Sequence, residues 1–248
     1  MTISETIDRL EARVQQLERR LRRHQRIGGV AVLLAALFAG AAFLAQGRRA
    51  RFTEVDVERL NVVEPDGQLV LAMANTVRLP HALIAGKSVK TNRTGPGLIF
   101  FDGKGWEVGG LVYGNEPTSG GYRAGGHFSL DQFRNDQVVY LSYQDDGTTN
   151  KAAGLYVVDR ARTPTLDEQI RMQDTLASAT GDARAALEAK LRATAAQRVF
   201  VGSENETAMV RLRDRAGRDR IRLIVDPQGA ARIEIVDESG KVVDRLPK

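Results

Sequence analysis

The chain contains no cysteine, and this absence excludes disulfides, thiolate metal sites and thiol redox chemistry together. It has only three histidines, His24, His81 and His127, so a histidine-based triad or zinc cluster has few residues to draw on. The motifs G-x-S-x-G and HExxH are absent, and no segment has the alternating carboxylates of an EF-hand calcium loop. Gly86-Lys87-Ser88 lacks the earlier glycine of a phosphate-binding P-loop. The sequence therefore predicts no enzyme activity, no catalytic or metal-binding residue and no cofactor.

One long apolar run, residues 27–46, separates a short N-terminal segment from the rest of the chain. It carries no charge between Arg26 and Arg48, and a helix of this length spans roughly 30 Å, about the thickness of a bilayer core. A buried helix of a soluble domain rarely stays apolar on every face for so long. The run is also too long for a signal peptide. We expect an uncleaved transmembrane helix over residues 27–47.

The arginines around this run predict its orientation. Seven precede it within residues 1–26, whereas Arg48, Arg49, Arg51 and Arg59 follow it. The positive-inside rule then places residues 1–26 in the cytoplasm and residues 48–248 outside. The reverse topology, with the domain in the cytoplasm, remains the alternative. The net charge of +5 lies mainly beside the bilayer, where anionic headgroups attract it, and so predicts no nucleic-acid partner.

The N-terminal segment has a heptad pattern. Apolar residues recur at alternating spacings of four and three, with Ile7, Val14 and Leu21 at a and Ile3, Leu10 and Leu17 at d. β-Branched residues at a with Leu at d favour a parallel two-stranded coiled coil. We expect a homodimer through residues 3–21. A single amphipathic helix is the alternative, because fewer than three heptads make a short coil.

Beyond the membrane run the apolar pattern changes to a period of two. Asp-Gly turns separate apolar runs at Glu64-Pro65-Asp66-Gly67, at Asp102-Gly103-Lys104-Gly105 and at Asp145-Asp146-Gly147. These turns are typical of β-hairpins. We expect the first strand to run over residues 52–63, with Val55, Val57, Leu60 and Val62 facing inward.

The C-terminal part repeats one turn at Asp214–Gly217, Asp226–Gly229 and Asp237–Gly240. Between these turns Ile221, Leu223 and Val225 alternate with polar residues. The alternation predicts an antiparallel meander with one buried and one solvated face.

A helical hairpin is predicted between the strands, over residues 165–197. Thr165-Leu-Asp-Glu168 is a capping box, and apolar residues follow at helical spacing. Thr180-Gly181-Asp182 ends the first helix and caps a second. One longer helix with Gly181 inside it is the alternative, at a cost of about 1 kcal/mol.

Candidate chemistry is limited to one region. His127 precedes Asp131 and Asp136, but a structural role is favoured because His127 lies in a strand-like run and the two aspartates flank a turn. Most aromatic residues lie between Phe100 and Tyr156, where core packing is favoured over an exposed platform for sugar or peptide. The glycine-rich segment 109–126 is expected to be a long mobile loop beside any functional site.

Five short blocks resemble a family of bacterial single-pass membrane proteins of uncharacterised function. They are RLNVVEPDG (59–67), GLIFFD (97–102), GGL (109–111), LDQF..DQ (130–137) and AGLYVVDR (153–160). The resemblance covers residues 52–162. It implies a bacterial membrane protein with a β-rich domain and supplies no reaction from which residue roles follow.

These observations predict a mainly β protein with an N-terminal coiled coil, one transmembrane helix and a sandwich- or roll-like antiparallel domain with an inserted helical hairpin. We expect an anchored binding or scaffold module of the bacterial cell envelope, partnered by the lipid bilayer, a second copy and an envelope protein or glycan. The alternative is an envelope enzyme acting on glycan or lipid, with its acid or base among His127, Asp131, Asp136 and Asp159.

Overall fold

The computed structural model describes residues 50–91 and 93–247. The predicted N-terminal helix of residues 1–26 and the predicted membrane helix of residues 27–47 lie outside this range. Of the helices in the described range, none is both long enough and apolar enough to cross a membrane. The compact unit that contains the β-domain begins at Asp56.

Strands dominate the described chain. They are β1 Arg59–Val63, β2 Leu69–Ala74, β3 Ala82–Ile84, β4 Lys87–Val89, β5 Gly97–Phe101, β6 Glu107–Thr118, β7 Gly121–Asp131, β8 Gln137–Asp145, β9 Lys151–Arg160, β10 Ala195–Glu204, β11 Thr207–Arg213, β12 Asp219–Val225, β13 Ala231–Val236 and β14 Val242–Leu246. Helices α1 Leu166–Ser178 and α2 Gly181–Arg192 lie between β9 and β10. The prediction of a mainly β domain with two inserted helices is confirmed.

Twelve of the strands form one antiparallel sheet, in the order β1-β2-β5-β6-β7-β8-β9-β10-β11-β12-β13-β14. Strands β3 and β4 form a separate two-stranded hairpin. The predicted meander is therefore present and extends across the whole sheet. The described residues do not supply the second large layer that a sandwich requires.

The predicted Asp-x-x-Gly turns form as expected. Gly217, Gly229 and Gly240 each donate a backbone hydrogen bond to the carbonyl of the aspartate three residues earlier, at 2.9–3.1 Å. Their φ angles of 77°, 86° and 87° lie in the left-handed region that glycine adopts without steric cost. Each aspartate carboxylate also accepts backbone N–H groups of its own turn. Local turn chemistry thus fixes where each C-terminal hairpin reverses.

The glycine-rich segment 109–126 is not a loop, and that prediction is wrong. Most of it forms the paired strands β6 and β7, with Thr118 opposite Gly121 beside a short turn. Glycine is needed there because neighbouring strands approach closely: a Cβ on Gly109 would lie 2.3 Å from the Ser129 carbonyl oxygen. These glycines therefore reflect sheet packing rather than mobility.

The N-terminal strand is shorter than predicted, and the prediction that its apolar residues face inward is wrong. β1 begins only at Arg59, so Val55 and Val57 precede it and are exposed. Leu60 and Val62 are also exposed, at 46% and 48%. An alternating pattern identifies which residues share a face, but it does not show that the face is covered.

One face of the sheet is covered near its N-terminal end. Ala72, Ile99 and Phe101 are buried there against Leu79 and Leu83. A second cluster joins Ala82, Ile84 and Trp106 of the small hairpin region to Leu166 and Ile170 of α1. The hairpin and the first inserted helix are therefore the covering elements of this end.

The helical hairpin matches its predicted start. The Glu168 carboxylate accepts a hydrogen bond from the Thr165 backbone N–H at 2.7 Å, which is one half of the predicted capping box. Buried Asn135, in the turn between β7 and β8, bonds the Ala161 carbonyl at 2.9 Å and the Gln169 amide at 3.1 Å. These bonds attach the start of α1 to the sheet. The insert ends earlier than predicted, because β10 already begins at Ala195.

The opposite face carries an unbroken row of apolar residues across all twelve strands, because directly opposite residues in antiparallel strands share a face. The row is Leu60, Met73, Leu98, Leu111, Phe128, Leu141, Leu155, Val201, Val210, Leu223, Ile233 and Leu246. We call this row and its flanking residues the apolar face. Leu223 and Ile233 are each 41% exposed, and Leu246 is 52% exposed. The prediction that Ile221, Leu223 and Val225 face a buried interior is therefore wrong for the described chain.

The covered end of the sheet should dominate the stability of the domain. Ile99 is 1% exposed, so Ile99→Ala is expected to lower the free energy of unfolding by about 2–5 kcal/mol through lost contacts and a cavity. Val77→Ala is the control, because Val77 is 88% exposed and should change stability by less than about 0.5 kcal/mol. Denaturant unfolding of the full chain, followed by circular dichroism, measures both. Equal losses would contradict this assignment of the core.

Candidate functional site

The covered face of the sheet carries a second continuous row of residues, which we call the ladder. Its members are Asn61, Ala72, Ile99, Gly110, Ser129, Tyr140, Tyr156, Phe200, Arg211, Arg222, Glu234 and Arg245. The row changes from apolar to aromatic and then to charged residues along the sheet. Each type packs against its neighbour on the next strand.

Aromatic rings occupy the middle of the ladder. Tyr140 and Tyr156 stack with their centroids 4.5 Å apart, and Tyr156 lies 4.8 Å from Phe200. Phe200 is fully buried. Gly154 and Gly202 make the space for it, because a Cβ on either would lie within 2.8 Å of the Phe200 ring. Arg211 stacks over the other side of the ring at 5.7 Å.

Paired charges occupy the C-terminal end of the ladder. Glu234 is only 4% exposed and is bonded by Arg245 at 2.7 Å and by Arg232 at 3.1 Å. Burial alone would raise the pKa of the Glu234 carboxyl, but the hydrogen bonds from these two arginines outweigh it and lower that pKa. Nearby, Asp219 bonds both Arg213 and Arg222, at 2.7 and 2.8 Å. The C-terminal part of the covered face is thus a network of ion pairs rather than a freely solvated surface.

Asp131, at the end of β7, is a carboxyl with a strongly raised pKa. Burial first, and then the negative charges of Asp136 and Glu107, raise its pKa to about 7. Its Oδ1 atom is buried and has no hydrogen-bond partner among the described residues. A carboxyl of this kind titrates near neutral pH, as a general acid or base does.

Two arginines neutralise the carboxylates around Asp131. Arg160 bonds Asp136 at 2.8 Å and the Gln137 carbonyl at 2.7 Å. Arg93 forms a hydrogen-bonded ion pair with Glu107, where burial nevertheless raises the Glu107 pKa. Neither neighbouring carboxylate is therefore an unpaired catalytic group.

Three of the four residues weighed for catalysis, His127, Asp131 and Asp136, lie in the β7–β8 hairpin. His127 and Asp131 are four positions apart on β7, which is about 13 Å along an extended strand. The charge of Asp136 nevertheless acts on the pKa of both. Burial lowers the pKa of His127, and its Nε2 atom has no hydrogen-bond partner within the described range. Asp159 is separate: alternation along β9 places it on the opposite face from Arg160, where it pairs with Arg198.

A cleft of about 710 Å³ lies beside the β6–β7 hairpin. Its lining includes Gly114, Gly125, His127, Ser142 and Gln144, which belong to two neighbouring rows on the covered face. Asp131 and Asp136 are not among its lining residues. A ligand in this cleft would therefore meet His127 without meeting the perturbed carboxyl.

The aromatic residues divide between core and surface. Tyr140, Tyr156 and Phe200 are packed in the ladder, as favoured by the sequence, whereas Tyr113 and Tyr143 are 52% and 40% exposed on the apolar face. In residues 50–91 and 93–247, no group of three or more His, Asp or Glu side chains is arranged to hold a metal ion.

Comparisons with protein-family models, with curated proteins and with solved structures found no match to this chain. The resemblance of residues 52–162 to a family of bacterial membrane proteins therefore stays a prediction.

The raised pKa of Asp131 predicts how stability depends on pH. The folded protein keeps this carboxyl protonated up to about pH 7, whereas the unfolded chain loses the proton near pH 4, so folding is weakened as pH rises between these values. The free energy of unfolding of the Asp131→Asn variant should therefore increase, relative to wild type, across the same pH window. Urea unfolding of the full chain at a series of pH values measures the difference.

The matched control is Asp56→Asn, which changes an exposed aspartate to the same amide. Its free energy of unfolding should follow that of wild type across the window. If the Asp131→Asn and wild-type curves also stay parallel, Asp131 does not titrate near pH 7.

Proposed function

We propose that the chain is a membrane-anchored, extracytoplasmic binding or scaffold module of the bacterial cell envelope. The observation that carries the proposal is the apolar face. Leu60, Leu141, Val201 and Leu246, from both ends and the middle of the sheet, are each 44–54% exposed. Large contiguous apolar patches on soluble domains mark sites of association.

The extent of this face distinguishes it from ordinary surface. Isolated exposed apolar residues are common and need no explanation. Here a complete row is apolar on every strand from Leu60 to Leu246. A flanking row adds exposed members such as Leu130, Leu212 and Ile235, which are 38–45% exposed. A surface of this kind gains free energy by leaving water, at about 25 cal/mol per Å².

Attachment to the membrane and pairing through residues 3–21 belong to the same proposal. They rest on the uncharged run of residues 27–46 and on the heptad pattern that precedes it. Tethering to a bilayer raises the effective concentration of any partner in that membrane. A weak surface contact would then suffice for assembly.

The alternative proposal is an envelope enzyme acting on glycan or lipid. The Asp131 carboxyl supports the enzyme proposal, because burial and two neighbouring carboxylates raise its pKa to about 7. The pairing of Asp136 with Arg160, and of Asp159 with Arg198, disfavours it by occupying two of the four candidate groups. The binding proposal uses the larger feature of the molecule and is preferred.

Site-specific photo-crosslinking tests the binding proposal. A photo-reactive residue at Leu223, on the apolar face, is expected to form covalent adducts in intact host cells. The same residue at Ile224 is the control, because it lies next along β12 and faces the opposite side of the sheet. Adducts at both positions alike, or at neither, would contradict a binding role for this face.

The absence of cysteine allows a direct test of topology. Gln228→Cys introduces a single thiol in the exposed turn between β12 and β13. A membrane-impermeant maleimide should label it in intact spheroplasts. Thr2→Cys is the control and should react only after the membrane is broken. The reverse labelling pattern would establish the inverted topology instead.

A further inference from the structure

We propose that the apolar face is covered by the same face of a second copy of this chain, so that two chains complete a two-layered β-sandwich. The inference rests on the proposed binding role of that face and names its partner. Two sheets in a sandwich pack face to face about 10 Å apart through their apolar side chains. In this protein each chain supplies one such sheet.

The first argument is area. Twelve strands spaced about 4.8 Å apart, with the two apolar rows through Leu60 and Leu130 about 6.7 Å apart, cover roughly 800 Å². A pair of such faces would bury about 1,600 Å², the standard size of a specific protein–protein interface. The face is therefore large enough for a dimer without any further contact.

The second argument is the size of the alternative cover from the same chain. Residues 1–49, 92 and 248 lie outside the described range. The apolar run of residues 27–46, as a helix about 30 Å long and about 10 Å wide, would cover roughly 300 Å². That is less than half of the area of the two apolar rows, so this run would not replace a second sheet.

The third argument is self-complementarity. In a two-fold dimer a surface meets its own copy, so residue i contacts j and j contacts i. The complete row from Leu60 to Leu246 contains no charged residue, and the row through Leu130, Val139 and Leu212 is apolar until Asp244 at its end. Two copies therefore bring no like charges together in the middle of the contact.

The fourth argument concerns charge at the ends of the face. Apolar surfaces that lie on anionic bilayers are flanked by Lys and Arg. Here aspartates cap turns at both ends of the strands, each accepting backbone N–H groups: Asp66, Asp102, Asp146, Asp214, Asp226 and Asp237. The same turns also carry Lys104, Arg215, Arg218 and Lys241, so the ends of the strands are of mixed charge rather than basic. A protein face with its own mixed charges fits better than a lipid surface.

A shallow groove on this face marks where the contact would be deepest. It has a volume of about 660 Å³ and is lined by Val201, Val210, Leu223, Ile233 and Leu246, which are neighbours in the apolar row. Side chains of a facing sheet interdigitate in such grooves. We place the centre of the C-terminal half of the interface there.

Two differently tagged full-length copies, co-expressed in the host membrane, test the inference. With a photo-reactive residue at Ile233, the expected result is a covalent product that carries both tags. With the photo-reactive residue at Ile224, on the opposite face, the yield should be lower by about tenfold or more, because that face is separated from the contact by the sheet itself. Pairing through residues 3–21 alone would not produce this dependence on position.

Adducts at Ile233 that contain only another protein or only lipid would overturn the inference and leave the proposed binding function standing. No adduct at Ile233 would overturn both. A product with both tags whose yield is the same at Ile224 would also overturn the inference, because the apolar faces would then not be in contact.

A variant provides a second readout. With the photo-reactive residue at Leu223, Ile233→Asp should reduce the two-tag product by about tenfold or more, because a buried unpaired carboxylate would face the second copy. Val77→Asp is the matched control, since Val77 is 88% exposed in a segment outside the sheet. Circular dichroism of both variants checks that they are folded. An unchanged yield in folded Ile233→Asp would contradict the inference.

Discussion

A sheet has two faces, and an apolar side chain on either face stabilises the fold only if another part of the protein or a partner removes it from water. In this protein the small β3–β4 hairpin and helix α1 cover the N-terminal end of one face, where Ile99 and Trp106 are buried. The rest of that face is protected by its own aromatic stacks and ion pairs. Cover for the other face is absent from the described residues. The difference in burial between the two faces of the sheet underlies both the architecture and the proposed association.

The ladder shows how a single layer protects itself without a second sheet. Rings stack from strand to strand until Phe200, and Arg211 then covers the last ring. Beyond it, arginines surround Glu234, so that a carboxylate with 4% exposure remains ionised by virtue of its partners. Burying such charges carries a desolvation cost that only complete pairing offsets. This part of the covered face is therefore packed by stacked rings and paired charges.

Asp131 differs from these paired carboxylates. Its neighbours Glu107 and Asp136 each have an arginine, whereas one Asp131 oxygen has no partner within the described residues. This explains why its pKa alone rises to about 7. The site keeps a proton at neutral pH, yet it lies apart from the lining of the cleft that contains His127. The fold thus separates this carboxyl from the cleft that contains His127.

Features that depend on local chemistry could be predicted from the sequence. Asp-x-x-Gly turns, period-two strands and the Thr165 capping signal predicted the meander and the helical hairpin, because turns and caps are set by a few adjacent residues. Which elements contact each face of the sheet depends on contacts between residues far apart in sequence, and the alternating pattern does not contain that information. Gly109 to Gly126 resembled a loop because glycine serves both mobile segments and close strand contacts. Likewise, the alternation of Leu223 with Arg222 predicted that the two residues lie on opposite faces, but it did not predict whether another element covers either face. The neighbours of Asp131 could not be predicted either, because Glu107 lies at the start of β6 and Asp136 lies in the turn before β8.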